Sequence, residues 1–229
     1  CIAVLLGSAA QVRLLREWGA SAADASFLLP PPHEVVPALN FAAALGYVDC
    51  IEALLTLGAD PAAATALGQT ALHWAAQAGW VSSVQVLVRA RPELLQVRCA
   101  MGRTALHYAA VGGNSVAVCS FLVRCGSPWT EDADGRTPLH LACEFADLPV
   151  VRALMEHPET NPAALSGVTL FPETAAHVAA RRKRIDILEF LESHPGVSPD
   201  VLDASGQTAR QVLLSSSGSK FSNRLSRTS

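Results

Sequence analysis

Apolar residues in this chain fall into short runs, each with a polar residue in front and a glycine close behind. Gly102-Arg103-Thr104-Ala105-Leu106-His107-Tyr108-Ala109-Ala110-Val111-Gly112-Gly113 is one such run. Gly68-Gln69-Thr70-Ala71-Leu72-His73-Trp74-Ala75-Ala76-Gln77-Ala78-Gly79 precedes it, and Gly135-Arg136-Thr137-Pro138-Leu139-His140-Leu141-Ala142-Cys143 follows. A Thr hydroxyl in front of a helix accepts a free backbone N–H, a cap worth about 1 kcal/mol. A glycine behind it takes the positive φ that ends a helix. A second amphipathic segment comes next. In Tyr47 to Leu57, Cys50, Ile51, Leu54 and Leu55 share one helical face, and Gly58-Ala59-Asp60-Pro61 ends it. The pattern predicts paired short helices, repeated along the chain.

The spacing is regular. Pro37 to Thr70 is 33 residues, Thr70 to Thr104 is 34, and Thr104 to Thr137 is 33. Thr137 to Thr174 is 37, which places about four inserted residues within 158–172, and Thr174 to Thr208 is 34. Residues 1–20 read as the end of an earlier unit, with Val12, Leu14, Leu15 and Trp18 closed by Gly19-Ala20. Pro30-Pro31-Pro32 cannot continue a helix and stiffens the connection. The expected layout is an array over 1–214 and a disordered Ser-rich, basic tail over 215–229. Within the array lie a partial repeat (1–29), a Pro-rich insertion (30–34), repeats at 35–66, 67–100, 101–133, 134–169 and 170–203, and a C-terminal half repeat (204–214).

Such a period, with Thr-Pro-Leu-His-x-Ala, a helix-end Gly, a Leu-rich second helix and a Gly-Ala-Asp turn, resembles the ankyrin repeat. Residues 137–142 match that signature throughout, and 70–75 and 104–109 differ only by Ala for Pro. The resemblance implies an all-α ankyrin-repeat solenoid of stacked helix–turn–helix units with projecting β-turn or loop fingers. It implies that each His after Leu bonds backbone groups and ties repeats together. Paired alanines such as Ala109-Ala110 let neighbouring helices approach, each unit burying its apolar face only against its neighbours. Later units depart from the signature: Arg91-Pro92-Glu93 replaces Gly-Ala-Asp, Ala146 and Lys183 replace the helix-end Gly, and Ala175-Ala176 replaces Pro-Leu.

Composition narrows the function. The chain has 229 residues, half of them hydrophobic, and a net charge of −3, which excludes disorder for most of it. No stretch is long and apolar enough for a membrane span, so no direct membrane insertion is expected. Up to residue 180 there are 9 basic and 15 acidic residues, against 8 and 5 from Arg181 onward. The acidic bulk argues against a nucleic-acid partner. Six cysteines lack any Cys-x-x-Cys pairing, which suits a reducing cytoplasmic compartment. The chain begins at Cys1 inside an apparent helix, so it reads as a segment of a longer protein.

Chemistry is hard to find. His73, His107, His140 and His177 recur in register, so they stack along the array rather than converge. His140, Cys143, Cys119 and Cys125 lack zinc-site spacing. No phosphate-binding glycine loop or nucleophile elbow occurs. No catalytic residue, metal or cofactor is expected, and this segment is expected to be no enzyme. Arg181-Arg182-Lys183-Arg184 reads as a solvated turn, with an acidic-partner site or a nuclear import signal as alternatives. Arg224-Leu225-Ser226 and Arg227-Thr228-Ser229 place hydroxyls beside arginines, as phosphorylation sites do.

The non-repeating letters carry the functional expectation. The resemblance implies that first-helix positions free of packing line a concave face together with the turn tips. Here these are Phe41, Leu45, Tyr47, Trp74, Gln77, Trp80, Tyr108, Asn114, Glu144, Phe145 and Asp147, with Gln69, Arg103, Trp129, Glu131 and Arg136 at the tips. Trp, Tyr and Arg anchor protein interfaces, although Trp74 and Tyr108 can equally pack across repeats. The expected function is a non-catalytic scaffold for a protein or peptide partner with basic or Pro-rich segments. The alternative is the substrate-recognition module of a larger enzyme, such as an acyl transferase, a kinase or a ubiquitin-ligase component. Oligomeric state is open.

Overall fold

The computed structural model describes residues 26–28, 35–112, 115–155, 173–195 and 197–218, with backbone alone for 26–28, 35 and 216–218. Two short strands, β1 (Ser26–Leu28) and β2 (Val35–Pro37), pair antiparallel with Phe27 opposite Val36. The sequence predicts only a stiff connection here. The strands flank the proline-rich stretch, and β2 runs straight into the first helix because Pro37 is that helix's N-cap. The partial repeat expected over 1–20 lies outside the described residues.

Eleven α-helices follow among the described residues: α1 (Ala38–Leu45), α2 (Val48–Thr56), α3 (Ala71–Ala78), α4 (Val81–Ala90), α5 (Ala105–Val111), α6 (Val116–Arg124), α7 (Pro138–Phe145), α8 (Leu148–Met155), α9 (Ala175–Arg181), α10 (Ile185–Ser193) and α11 (Ala209–Gly218). Odd-numbered helices stack on one another in one layer, and even-numbered helices from α2 to α10 form a second layer behind them. One apolar cluster runs through the whole stack. Ala75, Ala76, Ala109 and Ala110 are fully buried, since only a methyl fits where successive helices of the first layer meet. After α4 the chain makes a 3₁₀ turn, Pro92–Gln96, that buries Leu94 and Leu95 in place of the missing Gly-Ala-Asp.

The fingers between repeats share one turn. Gly68, Gly102, Gly135 and Gly206 each donate their N–H to the carbonyl three residues back, at 2.8–3.0 Å, and all four have φ between +71° and +79°. Adjacent fingers are stitched by Ala100 N–H to Leu67 O and Ala133 N–H to Met101 O.

The residue three places into each first helix has two tasks, and the chain varies it as the tasks vary. In His73, Nδ1 accepts the Thr70 N–H at 3.1 Å and Nε2 donates to Arg103 O in the next finger at 3.1 Å. His107, His140 and His177 repeat this toward Arg136 O, Glu173 O and Gln207 O. In α1 the cap is Pro37, which has no N–H to satisfy. Asn40 suffices there, donating from Nδ2 to Gln69 O at 2.9 Å. In α11, Gln211 accepts the Thr208 N–H at 2.9 Å and closes its own helix.

The helix-end position shows how residues follow the backbone. Gly46 and Gly79 take φ of +75° and +80°. Ala146 avoids that conformation with φ −98°. Lys183 adopts it at φ +59°, the one non-glycine with positive φ among the described residues. A left-handed side-chain-bearing residue costs about 1–2 kcal/mol, and glycine's extra freedom in the unfolded chain returns part of that. Lys183→Gly is therefore expected to raise the urea midpoint by an amount equal to about 0.5–1 kcal/mol, with the denaturant slope unchanged. A fall in the midpoint would contradict this account.

The first residues of the expected tail, 215–218, belong to helix α11. Helix α11 continues to Gly218, and Ser215 fits it by donating its hydroxyl to Val212 O at 3.0 Å. Residues 219–229, with the Arg-Ser and Arg-Thr-Ser motifs, lie outside the described residues.

Candidate functional site

The fifteen candidate residues that the structure describes do not form one surface. They separate into an apolar group near α1 and α3 and a charged group near α7 and α9.

In the first group, the Phe41 and Trp74 rings lie 6.5 Å apart, tilted by 34°. Both are half-buried, and the Trp74 indole N–H has no partner among the described residues. Tyr47 is half-buried against the core. Trp80 is different. Its ring lies over Gly46, where an added Cβ would come within 2.6 Å of it, and its Nε1–H donates to Ala44 O at 2.9 Å. Yet 46% of Trp80 is exposed, and Leu45, between those two backbone contacts, is 37% exposed. Gln77 is exposed beside them.

Tyr108 leaves the candidate surface, because the structure buries it. Its hydroxyl accepts the Gln69 Nε2–H at 2.6 Å and donates to Cys99 Sγ at 3.6 Å, while its ring meets His73 edge-on at 5.2 Å. Burial pushes its hydroxyl up to about 12. Gln69 is half-buried and spent on the same seam. Trp129 is half-buried against the core, and Asn114 lies outside the described residues.

The second group is organised by Asp132, a turn acid that the sequence suggests is solvated and that the structure buries. Asp132, buried, accepts the N–H groups of Asp134 and Arg136 on Oδ1 and the Arg103 Nε–H on Oδ2 at 3.0 Å. Burial pushes its carboxyl up, but these donors and the Arg136 charge outweigh that, so it sits below the ordinary 3.8. Glu131 is exposed, and its carbonyl accepts from Arg98. Arg136 pairs with Asp132, Asp134 and, at 3.8 Å, Glu144. Glu144 also pairs with Arg182, whose guanidinium lies 6.0 Å from the Phe145 centroid. Arg184 reaches Ala146 O at 2.7 Å and Asp147 at 3.2 Å, and Arg181 pairs with Glu173. The basic run is thus a clamp between α9 and α7 with its arginines already matched to carboxylates. Phe145 remains 52% exposed at its edge.

The Asp132 role had a local signal: an acid three residues before the finger glycine. Asp203 repeats it, accepting the Ser205 and Gln207 N–H groups. The arginine clamp had none, because its partners are as many as 38 residues away in sequence.

The histidines serve structure here. His73 and His107 are fully buried, and burial pushes both down from 6.5 to about 4. Cys50, Cys99, Cys119 and Cys143 are buried free thiols, and Cys125 is exposed. Burial raises Cys119 and Cys143 to about 12, which keeps them as unreactive thiols. Among the described residues no cluster of three or more His, Cys, Asp or Glu side chains is disposed to hold a metal ion, and no helix is long and apolar enough to cross a membrane.

Comparison with known proteins agrees with this architecture. The family model described as ankyrin repeats matches in three copies, over residues 39–130, 93–167 and 112–203, which together span most of the chain. BRCA1-associated RING domain protein 1 of Caenorhabditis elegans is 36% identical over 93 residues, 41% of this chain. That stretch is 13% of the relative's own length.

Proposed function

The chain belongs to the ankyrin-repeat family, whose repeats are non-catalytic protein–protein interaction modules, and from that premise we propose that it holds a protein partner through the surface around Trp80 and Leu45. One observation carries this choice. Trp80 is fixed at two points, on Gly46 and on Ala44 O, yet nearly half its surface faces water. An aromatic ring already held in place loses little rotamer freedom on binding, which makes it an effective anchor. Leu45 and Gln77 extend the patch, and Phe41, Tyr47 and Trp74 support it from below.

The partner suited to this patch presents proline rings or apolar side chains beside basic residues. Asp49 and Glu52, exposed on the adjoining helix α2, supply the acidic surround. Phe145, Glu144 and Asp147, with Arg103, Arg136, Glu131 and Trp129, form a separate polar flank that selects among partners more than it anchors them.

Trp80→Ala combined with Leu45→Ala is expected to weaken partner binding by about 10-fold or more while the helical circular dichroism is kept, since central aromatic anchors contribute about 2 kcal/mol or more. The measurement is the affinity for a partner first captured from cell extract by the intact chain. Unchanged affinity in a folded double variant would remove this surface from consideration.

A second reading has its own support. The chain is similar to part of a much longer protein whose name records a RING domain. An array of this kind would then deliver partners to chemistry located elsewhere in a larger protein.

A further inference from the structure

The second layer of helices leaves an open groove of about 580 Å³ between α6 and α8. Val116, 40% exposed, with Leu148 and Pro149, forms its apolar floor, and Ser120, one turn along α6 from Val116, is too small to fill it. Arg124 and Arg152 border it, both exposed.

Among the described residues these two arginines, like Arg89 on α4, lack the carboxylate partners that most of the others have. Arg91, Arg103, Arg136, Arg181, Arg182, Arg184 and Arg210 all pair with carboxylates. Neither Arg124 nor Arg152 has a carboxylate partner among the described residues. The Arg152 guanidinium lies over the Phe190 ring, 4.8 Å from its centroid. That contact is with a ring and not with an acceptor, so it does not use up the N–H donors that a bidentate carboxylate requires. Apolar floor and unspent positive charge occur together in this groove between α6 and α8, whereas Trp80 stands at the start of α4.

We propose that the groove between α6 and α8 docks a short acidic, amphipathic segment of a partner protein. Its leucine- or phenylalanine-like side chains lie over Val116, Leu148 and Pro149, and its carboxylates meet Arg124 and Arg152. An open groove between parallel-running helices covers one face of its occupant, as helix-in-groove recognition requires. Because it uses α6 and α8 and shares no residue with the Trp80 patch, this site can be filled while that patch holds a different partner.

The probe is a fluorescein-labelled synthetic peptide of repeated Glu-Leu-Leu-Glu units, titrated against the full chain by fluorescence anisotropy, with a Lys-Leu-Leu-Lys peptide as counterpart. The acidic peptide is expected to bind about tenfold or more tightly than the basic one, and the amide shifts it causes in ¹⁵N spectra should fall on α6 and α8. Arg124→Glu with Arg152→Glu is expected to reverse the preference between the two peptides. Trp80→Ala with Leu45→Ala should leave the affinity for the acidic peptide unchanged, so the two surfaces fail or succeed separately. If the doubly reversed chain loses its helical signal, Arg124→Gln with Arg152→Gln carries the same comparison, with equal affinity for both peptides expected. Full affinity for the acidic peptide in a folded arginine variant would overturn the proposal. So would shifts confined to α1 and α3, or stoichiometric binding of decanoate with no binding of the peptide.

Discussion

Between pH 6.5 and pH 4 the array is expected to lose roughly 6 kcal/mol of stability, about 3 kcal/mol through each of His73 and His107. In the fold both imidazoles are buried and pushed down to about 4, while in the unfolded chain they titrate near 6.5. The unfolded chain therefore binds more protons in this window, and stability rises with pH across it. The contribution is complete above pH 6.5 and is lost as pH falls toward 4. The geometry explains the sign. Nδ1 faces the Thr N–H and must stay an acceptor, and Nε2 faces a carbonyl and must carry the proton. A second proton can only go to Nδ1, where it opposes another donor inside the core. Native domains hold only about 5–15 kcal/mol, so this loss is a large part of the total. Urea midpoints measured at pH 7 and pH 4.5 check it, and equal midpoints would refute it. His107→Gln, which preserves a cap acceptor as Gln211 does, should roughly halve the pH slope.

Gly112→Ala is expected to cost about 3 kcal/mol, the upper end for overpacking, because the added methyl has nowhere to go. A Cβ there would lie 2.3 Å from the Gln77 carbonyl oxygen, which is backbone of the preceding repeat and cannot swing aside. Gly112 has φ −71°, so its own conformation adds no penalty. Gly126 is the opposite case, with φ +77° and nothing within 4 Å of an added Cβ. Gly126→Ala should therefore cost only about 1 kcal/mol, all of it backbone strain. In a stack whose stability is a sum of nearest-neighbour interfaces, the Gly112 change strikes one interface. Chemical denaturation should then broaden or split into two steps, with helices before Gly112 separating from those after it. Equal costs for the two alanine variants would show that the clash is relieved by a shift of the chain.

What the sequence made legible was the part written locally. Thr104, Leu106, His107 and Ala109 announce a cap, a core position, a tie and a close approach within six residues. The ankyrin architecture follows from their recurrence, and even Lys183, a poor residue for its place, adopts the conformation its position demands. What it hid depends on neighbours about 30 to 40 residues away. Nothing local distinguishes Trp74, half-exposed, from Tyr108 at the equivalent place. The difference lies in Gln69 and Cys99, which take the Tyr108 hydroxyl. The basic run looked like free charge because Glu144 and Asp147 belong to the preceding repeat. The groove between α6 and α8 was invisible for the same reason, since its two sides are separate helices whose apolar letters look like ordinary core.

The sequence of Asn40, four histidines and Gln211 gives the array a direction of growth. Each histidine passes one hydrogen bond forward to the next finger, so an internal unit copied between two others keeps both its incoming and outgoing ties. Among the described residues Gln211 uses its Oε1 on its own helix start, which leaves the two Nε2 amide donors to tie a following unit as Asn40 Nδ2 ties Gln69 O. Lengthening by internal duplication is thus chemically simple for this protein, and at α11 the Gln211 amide both closes its own helix and holds donors for a forward tie.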